Sequence, residues 1–560
     1  MNRLPLLVLF VSLVLSGCSR CGGDRPGEEG PRSSRAATGV STVPSTPAGV
    51  TSGLAALLPA DVPLAIVVRD WDRVFGFVPA LRERLPGEAG AIAQAETDLR
   101  NTFGIRIDEP ESLREIGIAS SGGLALGIVN NTPVLLTYLS DAERFDDRMA
   151  EILSEQPFNL RGERSERDVD GVRLVTLTRE GDPSDRVTFG RFENIGLLFL
   201  VDEPGRDVES IVRTMRQASG SSLADREDFR AMLPRVDGMA IAGWVGADGV
   251  DAGSGLAEAL QELAGGERLG FAVHPRGDGI DVRILPPVSE RDLARARAIL
   301  DAPAPPPAFG RIPGPQAWGV LRLTVNPEAT LAAARGDEGS ARQVDRTLAE
   351  LGELLQLDVE RELVPALGAN VLVAMTRIRA MTLIRALGGD DIPIGDLLDA
   401  LGAVVAIELA DRDVIVAALD RVASAAGEEI NRFEDRGQPV YTVRDPRLNL
   451  ISIVAHDRFL LLVSERQRGA TLDRLAETGD ATPVLIRDDS SVQMMTAAGT
   501  AGGYINLGSL LTGPLGSALD AQVPVRMSQI ALFADQLMGR VRVDDAGLRV
   551  DIGLRFAPAP

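Results

Sequence analysis

An α+β chain of two tandem related halves, each with a mainly antiparallel sheet covered by helices, is what this sequence predicts. Three observations predict it: the same order of segments occurs twice, short turns join neighbouring strands, and the intervening segments carry apolar residues at three- and four-residue spacing. With 560 residues, 45% of them hydrophobic, the chain can build more than one core.

The first half opens on the strand Ala65-Ile66-Val67-Val68-Arg69-Asp70, and the second on Val320-Leu321-Arg322-Leu323-Thr324-Val325-Asn326. A helix with Ile92, Leu99 and Phe103 on one face leads to Ile105-Arg106-Ile107-Asp108. Its counterpart carries Val344, Leu348, Leu351 and Leu355 and leads to Leu355-Gln356-Leu357-Asp358. Each stripe is expected to be buried. A strand then runs into an acidic helix start, Leu139-Ser140-Asp141 in one half and Leu409-Ala410-Asp411 in the other. The clearest match follows, Leu198-Phe199-Leu200-Val201 with Leu460-Leu461-Leu462-Val463, each leading into a helix; in the first of these, Val208, Ile211, Val212 and Met215 share a face. Gly243-Trp244-Val245 then matches Gly503-Tyr504-Ile505. Asp278-Gly279-Ile280 matches Asp545-Ala546-Gly547-Leu548, both read as hairpin turns because Asp-Gly favours positive dihedrals. Matched positions lie about 250 to 270 residues apart, as a duplication with loop insertions requires.

Turns such as Asn130-Asn131-Thr132-Pro133 and Arg276-Gly277-Asp278-Gly279 are short enough to impose antiparallel pairing. The repeats are read as residues 54–300 and 317–557, with a proline-rich linker at 301–316 that can neither pair as sheet nor continue a helix. The second repeat differs by an insertion at about 376–402. It contains Ile378, Met381, Ile384, Leu387, Ile392, Ile394, Leu397 and Leu398, with Gly388-Gly389-Asp390-Asp391 at its middle. Apolar residues outside the shared plan must be covered, either by their own domain or by a protein or lipid partner.

Residues 1–17 have Arg3 as their only charge, then an apolar run from Leu4 to Leu15 that is too short to span a bilayer. The run ends in Leu15-Ser16-Gly17-Cys18, which resembles the lipobox of bacterial lipoproteins at all four positions. That resemblance implies a signal peptide cut before Cys18, and a Cys18 whose thiol and new amino terminus are acylated. Ser19 follows, where aspartate would resemble the inner-membrane retention signal of enteric bacteria, so the expected address is the periplasmic side of the outer membrane. Cys21 is then a solitary thiol, and the mature chain has no internal disulfide. Residues 18–53 read as the lipidated cysteine and a disordered tether, with a reach of roughly 30–35 Å. The order of leader, tether and a strand introduced by Leu58-Pro59-Ala60-Asp61 resembles an uncharacterised domain-of-unknown-function family of secreted and lipid-anchored bacterial proteins. The resemblance implies no activity and supplies no site residues.

The composition excludes more chemistry than any motif suggests. All 58 cationic residues are arginine, so Schiff bases, Walker A lysines and Ser-Lys dyads are excluded. A net charge of −22 repels phosphate backbones and argues against nucleic acid. The two histidines, His274 and His456, fall in non-equivalent segments and read as solvated hairpin residues rather than parts of a triad or zinc site. Ser120-Ser121-Gly122-Gly123 lacks the first glycine of a nucleophile elbow and enters a strand instead of a helix. Glu166-Arg167-Asp168-Val169-Asp170-Gly171 starts like a calcium loop, but Leu177 stands where the bidentate glutamate belongs, so a polar turn is expected. Arg276-Gly277-Asp278 is likewise read as a turn.

No catalytic, cofactor or metal residue is therefore assigned. The function expected is a non-enzymatic, lipid-anchored envelope protein that binds or scaffolds. The alternatives are an envelope hydrolase using serine and carboxylates, or a carrier of an apolar ligand between the halves.

Overall fold

Leucine- and valine-rich runs form strands that pair antiparallel throughout a computed structural model. It describes residue 44 and residues 46–557 except 85–88, 131, 156–157, 200–206, 218–220, 246–267, 314–316, 337, 380–381, 383–384, 386–393, 446–448, 477–499 and 512–533. Helices stand between the strands, so the chain is α+β. It divides into two compact units, one ending at Pro287 and the other running from Val288 to Pro558.

The strands of the first unit are β1 (Leu64–Val68), β2 (Leu124–Val129), β3 (Thr132–Tyr138), β4 (Arg164–Val169), β5 (Val172–Arg179), β6 (Asp182–Phe192), β7 (Ile195–Phe199), β8 (Ile241–Val245), β9 (Leu269–Arg276) and β10 (Gly279–Leu285). They pair in the order β4-β5-β6-β7-β3-β2-β1-β8-β9-β10. The second unit has β11 (Gly319–Thr324), β12 (Leu367–Met375), β13 (Ala403–Leu409), β14 (Ile430–Asp435), β15 (Gln438–Asp445), β16 (Asn449–Ala455), β17 (Phe459–Ser464), β18 (Thr500–Asn506), β19 (Ala534–Asp544) and β20 (Gly547–Phe556). Their order is β14-β15-β16-β17-β13-β12-β11-β18-β19-β20, the same position by position.

Local chemistry sets these pairings. Asp170-Gly171 and Arg436-Gly437 take left-handed dihedrals (φ 50° and 81°; 51° and 75°), the geometry that closes a two-residue hairpin without splaying its strands. The positive dihedrals expected at Asp278-Gly279 do not occur there. Gly279 is already the first residue of β10, and Gly277-Asp278 forms the turn. Where β3 and β13 end, Asp141 accepts the Arg144 N–H to start α4, and Asp411 accepts those of Asp413 and Val414 to start α10.

Among the described residues, the helices of eight residues or more are α1 (Pro47–Ala55), α2 (Trp71–Arg84), α3 (Ala89–Phe103), α4 (Ala142–Ser154) and α5 (Val208–Gln217) in the first unit. The second has α6 (Glu290–Leu300), α7 (Pro327–Ala334), α8 (Glu338–Leu355), α9 (Ile394–Leu401), α10 (Arg412–Ala426) and α11 (Glu465–Ala476). Among the described residues no helix is long and apolar enough to cross a membrane.

All five residues of β1 are buried, because both faces of its sheet are covered. Ala65 and Val67 pack with Val50 and Leu54 of α1 and Ile211, Val212 and Met215 of α5. On the opposite face Leu64, Ile66 and Val68 lie under Trp71 and Phe75 of α2. In the second unit Val320, Leu372, Tyr504 and Met538 form one covered face with Leu472 and Leu475 of α11. The proline-rich stretch does more than link: Phe309 and Ile312 enter this core, Phe309 meeting Phe459 edge-on at 4.9 Å. A proline-fixed segment lacks sheet donors yet can still present apolar side chains.

Two apolar stripes are less covered than their spacing predicts. On α3 only Leu99 is buried, while Ile92 and Phe103 are half-buried. On α8, Val344, Leu348 and Leu355 are half-buried and Leu351 is 38% exposed, because α8 packs against α10 and the turn after it instead of onto a sheet. The insertion falls between β12 and β13, where the first unit has only the turn between β2 and β3. Its α9 packs onto β13, β16 and β17, with Leu397 and Leu398 half-buried. Met381, Ile384, Leu387, Ile392 and Gly388-Gly389-Asp390-Asp391 lie outside the described residues, and so do Cys18 and Cys21.

Candidate functional site

The residues weighed for catalysis do not converge. His274, in β9 opposite Asp281, has Nδ1 3.1 Å from the Arg73 guanidinium. Burial, and then the charge of Arg73, holds it below the usual histidine range. His456 turns the chain between β16 and β17 and stacks on Phe459, and burial lowers it too. Each is more enclosed than a solvated hairpin histidine, and they belong to different units. Ser120 lies in an exposed turn, its hydroxyl 3.3 Å from Glu111. Residues 166–171 form the end of the β4–β5 hairpin. There Asp168 caps the Gly171 N–H, and Glu166 is held by Arg164 and Arg173, so its side chains serve the turn.

Three polar clusters escaped the sequence reading. In the first unit Asp146, on α4, is 4% exposed between Arg191 at 2.9 Å and Arg173 at 3.5 Å. In the second, Arg322 is fully buried on the covered face of β11 and donates to the Thr500 hydroxyl at 2.5 Å. Burial pulls its guanidinium down to about 10. Beside it Thr324 donates to Asn370, which donates to Glu408. The third cluster has the composition of a nucleophile and base, since Ser452 donates to Glu465 at 2.5 Å. Arg468, however, pairs with the same carboxylate, and Ser452 has no exposed surface. This arrangement can lock β16 to α11 and cannot receive a substrate.

A different feature stands out on the other face of the second sheet. Register places Val371, Leu323, Ala501, Val541 and Val550 in one row across β12, β11, β18, β19 and β20. Val373, Leu321, Gly503, Gly539 and Ile552 form the next. Every side chain or glycine in both rows faces away from the covered core, and none is buried. Leu321 is 44% exposed and Leu323 37%. At the corresponding place in the first sheet Ile66 is 4% exposed and Val68 5%, because α2 covers them. Ala65 faces Gly127 and Trp244 across β1's two neighbours, and Val320 faces Ala374 and Tyr504 across those of β11, which fixes the correspondence of the following residues.

Beyond the end of β12, which borders this face, lies a cluster of charge. Met375 ends β12, and its side chain lies over Gly319, where an added Cβ would stand 2.7 Å from the Met375 methyl. The chain continues through Arg377, whose carbonyl accepts the Trp318 indole N–H at 2.9 Å, to Arg379. Asp399 of α9 takes Arg379 at 2.7 Å, Arg466 at 3.3 Å and Arg377 at 3.9 Å. Three guanidinium groups thus share one carboxylate. Asp399 keeps 13% of its side-chain surface, whereas the arginines keep 46% (Arg377), 38% (Arg379) and 67% (Arg466). The sequence signal was an Arg-x-Arg after a strand in an acidic chain, but Arg466 joins only through the fold. No family model matches the chain, and neither a curated protein nor a solved structure matches it.

Proposed function

We propose that this chain is a lipid-anchored envelope protein, held through acyl chains on Cys18 at the periplasmic side of the outer membrane. Its body consists of two related repeats and serves binding rather than catalysis. The open sheet face of the second repeat is its binding surface. The observation that carries this reading is the contrast between Ile66 and Val68, buried under α2, and Leu321 and Leu323, left open at the same strand positions. Water penalises such a continuous apolar surface unless something occupies it.

Relatedness of the repeats is supported by more than strand order. Ser140 and Asp141 both donate their backbone N–H to the Gly117 carbonyl, and Ala410 and Asp411 do the same to that of Ala366. Leu139 donates to Asn194 and Leu409 to Arg458, at corresponding turns. A hydrolase is disfavoured because Ser452 is buried and its partner Glu465 is paired with Arg468.

Carbene footprinting of the full chain, purified and in intact cells, tests the binding surface. Leu321 and Leu323 should be labelled in the purified protein and protected in cells, with Ile66 and Val68 silent in both. Absence of labelling in the purified protein refutes the open face. Cys18→Ser should move the protein from the membrane to the soluble fraction, and its retention on the membrane would refute the anchor.

A further inference from the structure

Resting on the reading of this face as a binding surface, we propose that it holds the chain of a free long-chain fatty acid, with the carboxylate received by Arg377, Arg379 and Arg466. Two rows of side chains across five strands, at about 4.8 Å per strand, make a patch about 20 Å wide. With the Met375 row added it is about 14 Å long, on the order of 300 Å². A stable dimer needs about 800 Å² from each partner, so a second copy of this chain is too large an occupant for the apolar area offered. One acyl chain spans half of a hydrocarbon core of about 30 Å, about 15 Å, and fits it.

Charge points the same way. The whole chain carries −22 and is repelled by an anionic membrane surface, yet the end of the patch bears three arginines around one carboxylate. Guanidinium groups bind a carboxylate through paired, charge-assisted hydrogen bonds. Arg377 stands two residues beyond Met375, at the strand end that borders the patch.

The test is calorimetric titration of the purified full chain with oleate below its micelle concentration, with oleyl alcohol and octanoate as comparators. Oleate should bind saturably at about one per chain, more tightly than either comparator. Arg377→Gln with Arg379→Gln should weaken oleate at least about tenfold and leave oleyl alcohol within about twofold. Leu321→Thr with Leu323→Thr should weaken both ligands. All four residues are exposed enough for the variants to fold, and the thermal midpoint checks that they do. No saturable oleate binding, or equal binding of oleate and oleyl alcohol, overturns the proposal. If Leu321 and Leu323 label with carbene but oleate does not bind, the open face stands and only the ligand class falls. If they do not label, both fall together.

Discussion

Replacing Ile66 and Leu321 by threonine, one at a time, should give unequal losses of stability, although both are aliphatic residues at the same strand position. Threonine keeps the β-branching of Ile66 and introduces it at Leu321, so neither site loses strand preference and burial decides the cost. At Ile66, 4% exposed beneath Trp71 and Phe75, the change removes about two methylenes' worth of transfer energy, about 1.6 kcal/mol. It also buries a hydroxyl, for about 1–3 kcal/mol more. The sum, about 2.6–4.6 kcal/mol, should lower the first unit's thermal midpoint by about 5–18 °C for a unit of this size. At Leu321, 44% exposed on an open face, the hydroxyl stays hydrated and the loss should be under about 1 kcal/mol. Scanning calorimetry read beside tryptophan fluorescence separates the units, since Trp71 and Trp244 report on the first and Trp318 on the second. Equal losses at the two sites would mean that Leu321 is covered, and the argument for the binding face would fail.

Asp146→Ala leaves Arg191 and Arg173 facing each other without their carboxylate, at a cost of about 2–3 kcal/mol, held below that of a fully sealed pair because those side chains keep 26% and 41% exposure. Burial raises the Asp146 carboxyl against the pull of both arginines. Its contribution is therefore full below the ordinary aspartate range and lost as pH rises through the folded value. Relative to Asp146→Asn, the wild-type chain should gain stability in urea melts as pH falls toward 4, and a gain in the other direction refutes this assignment. Burial also pushes all three tyrosines, Tyr138, Tyr441 and Tyr504, up to about 12 from 10. The stability they confer is complete below pH 10 and lost as pH rises toward 12, so ultraviolet titration should show tyrosinate appearing together with unfolding. Tyrosinate appearing near pH 10 in a folded chain would contradict it.

What was legible in the sequence was local. Turn residues, strand runs and the acidic starts at Asp141 and Asp411 depend on neighbours within a few positions; both acidic starts stand where their pattern placed them, while the turn read at Asp278-Gly279 closes one residue earlier. Register is not local. Leu198 lies opposite Leu135 and Leu462 opposite Val405, so with Leu139 and Leu409 as equivalents the matched strands differ by two residues from the run-to-run match of Leu198 with Leu460. A slip of two keeps every side chain on its face, so hydrophobic pattern alone could not detect it. Coverage is not local either: the stripe on α8 promised burial, but only packing could show that it meets a helix and leaves Leu351 open. The arginine cluster depends on bringing Arg466 to Arg377 across five intervening strands, which no spacing rule anticipates.

The placement of β1 inside its sheet, between β2 and β8, has a kinetic consequence. One of its edges pairs with β2, close by in the chain, and the other with β8, which lies far along it. Until β8 docks, Leu64–Val68 has an unpaired row of peptide groups on that edge. Loop-closure entropy makes such distant pairing slow. A chain truncated before Ile241 should therefore remain open to protease around β1, and resistance there would show that the strand is satisfied by other partners. β11 has the same arrangement with β12 and β18, so each unit completes its sheet only when strands from its last third have docked.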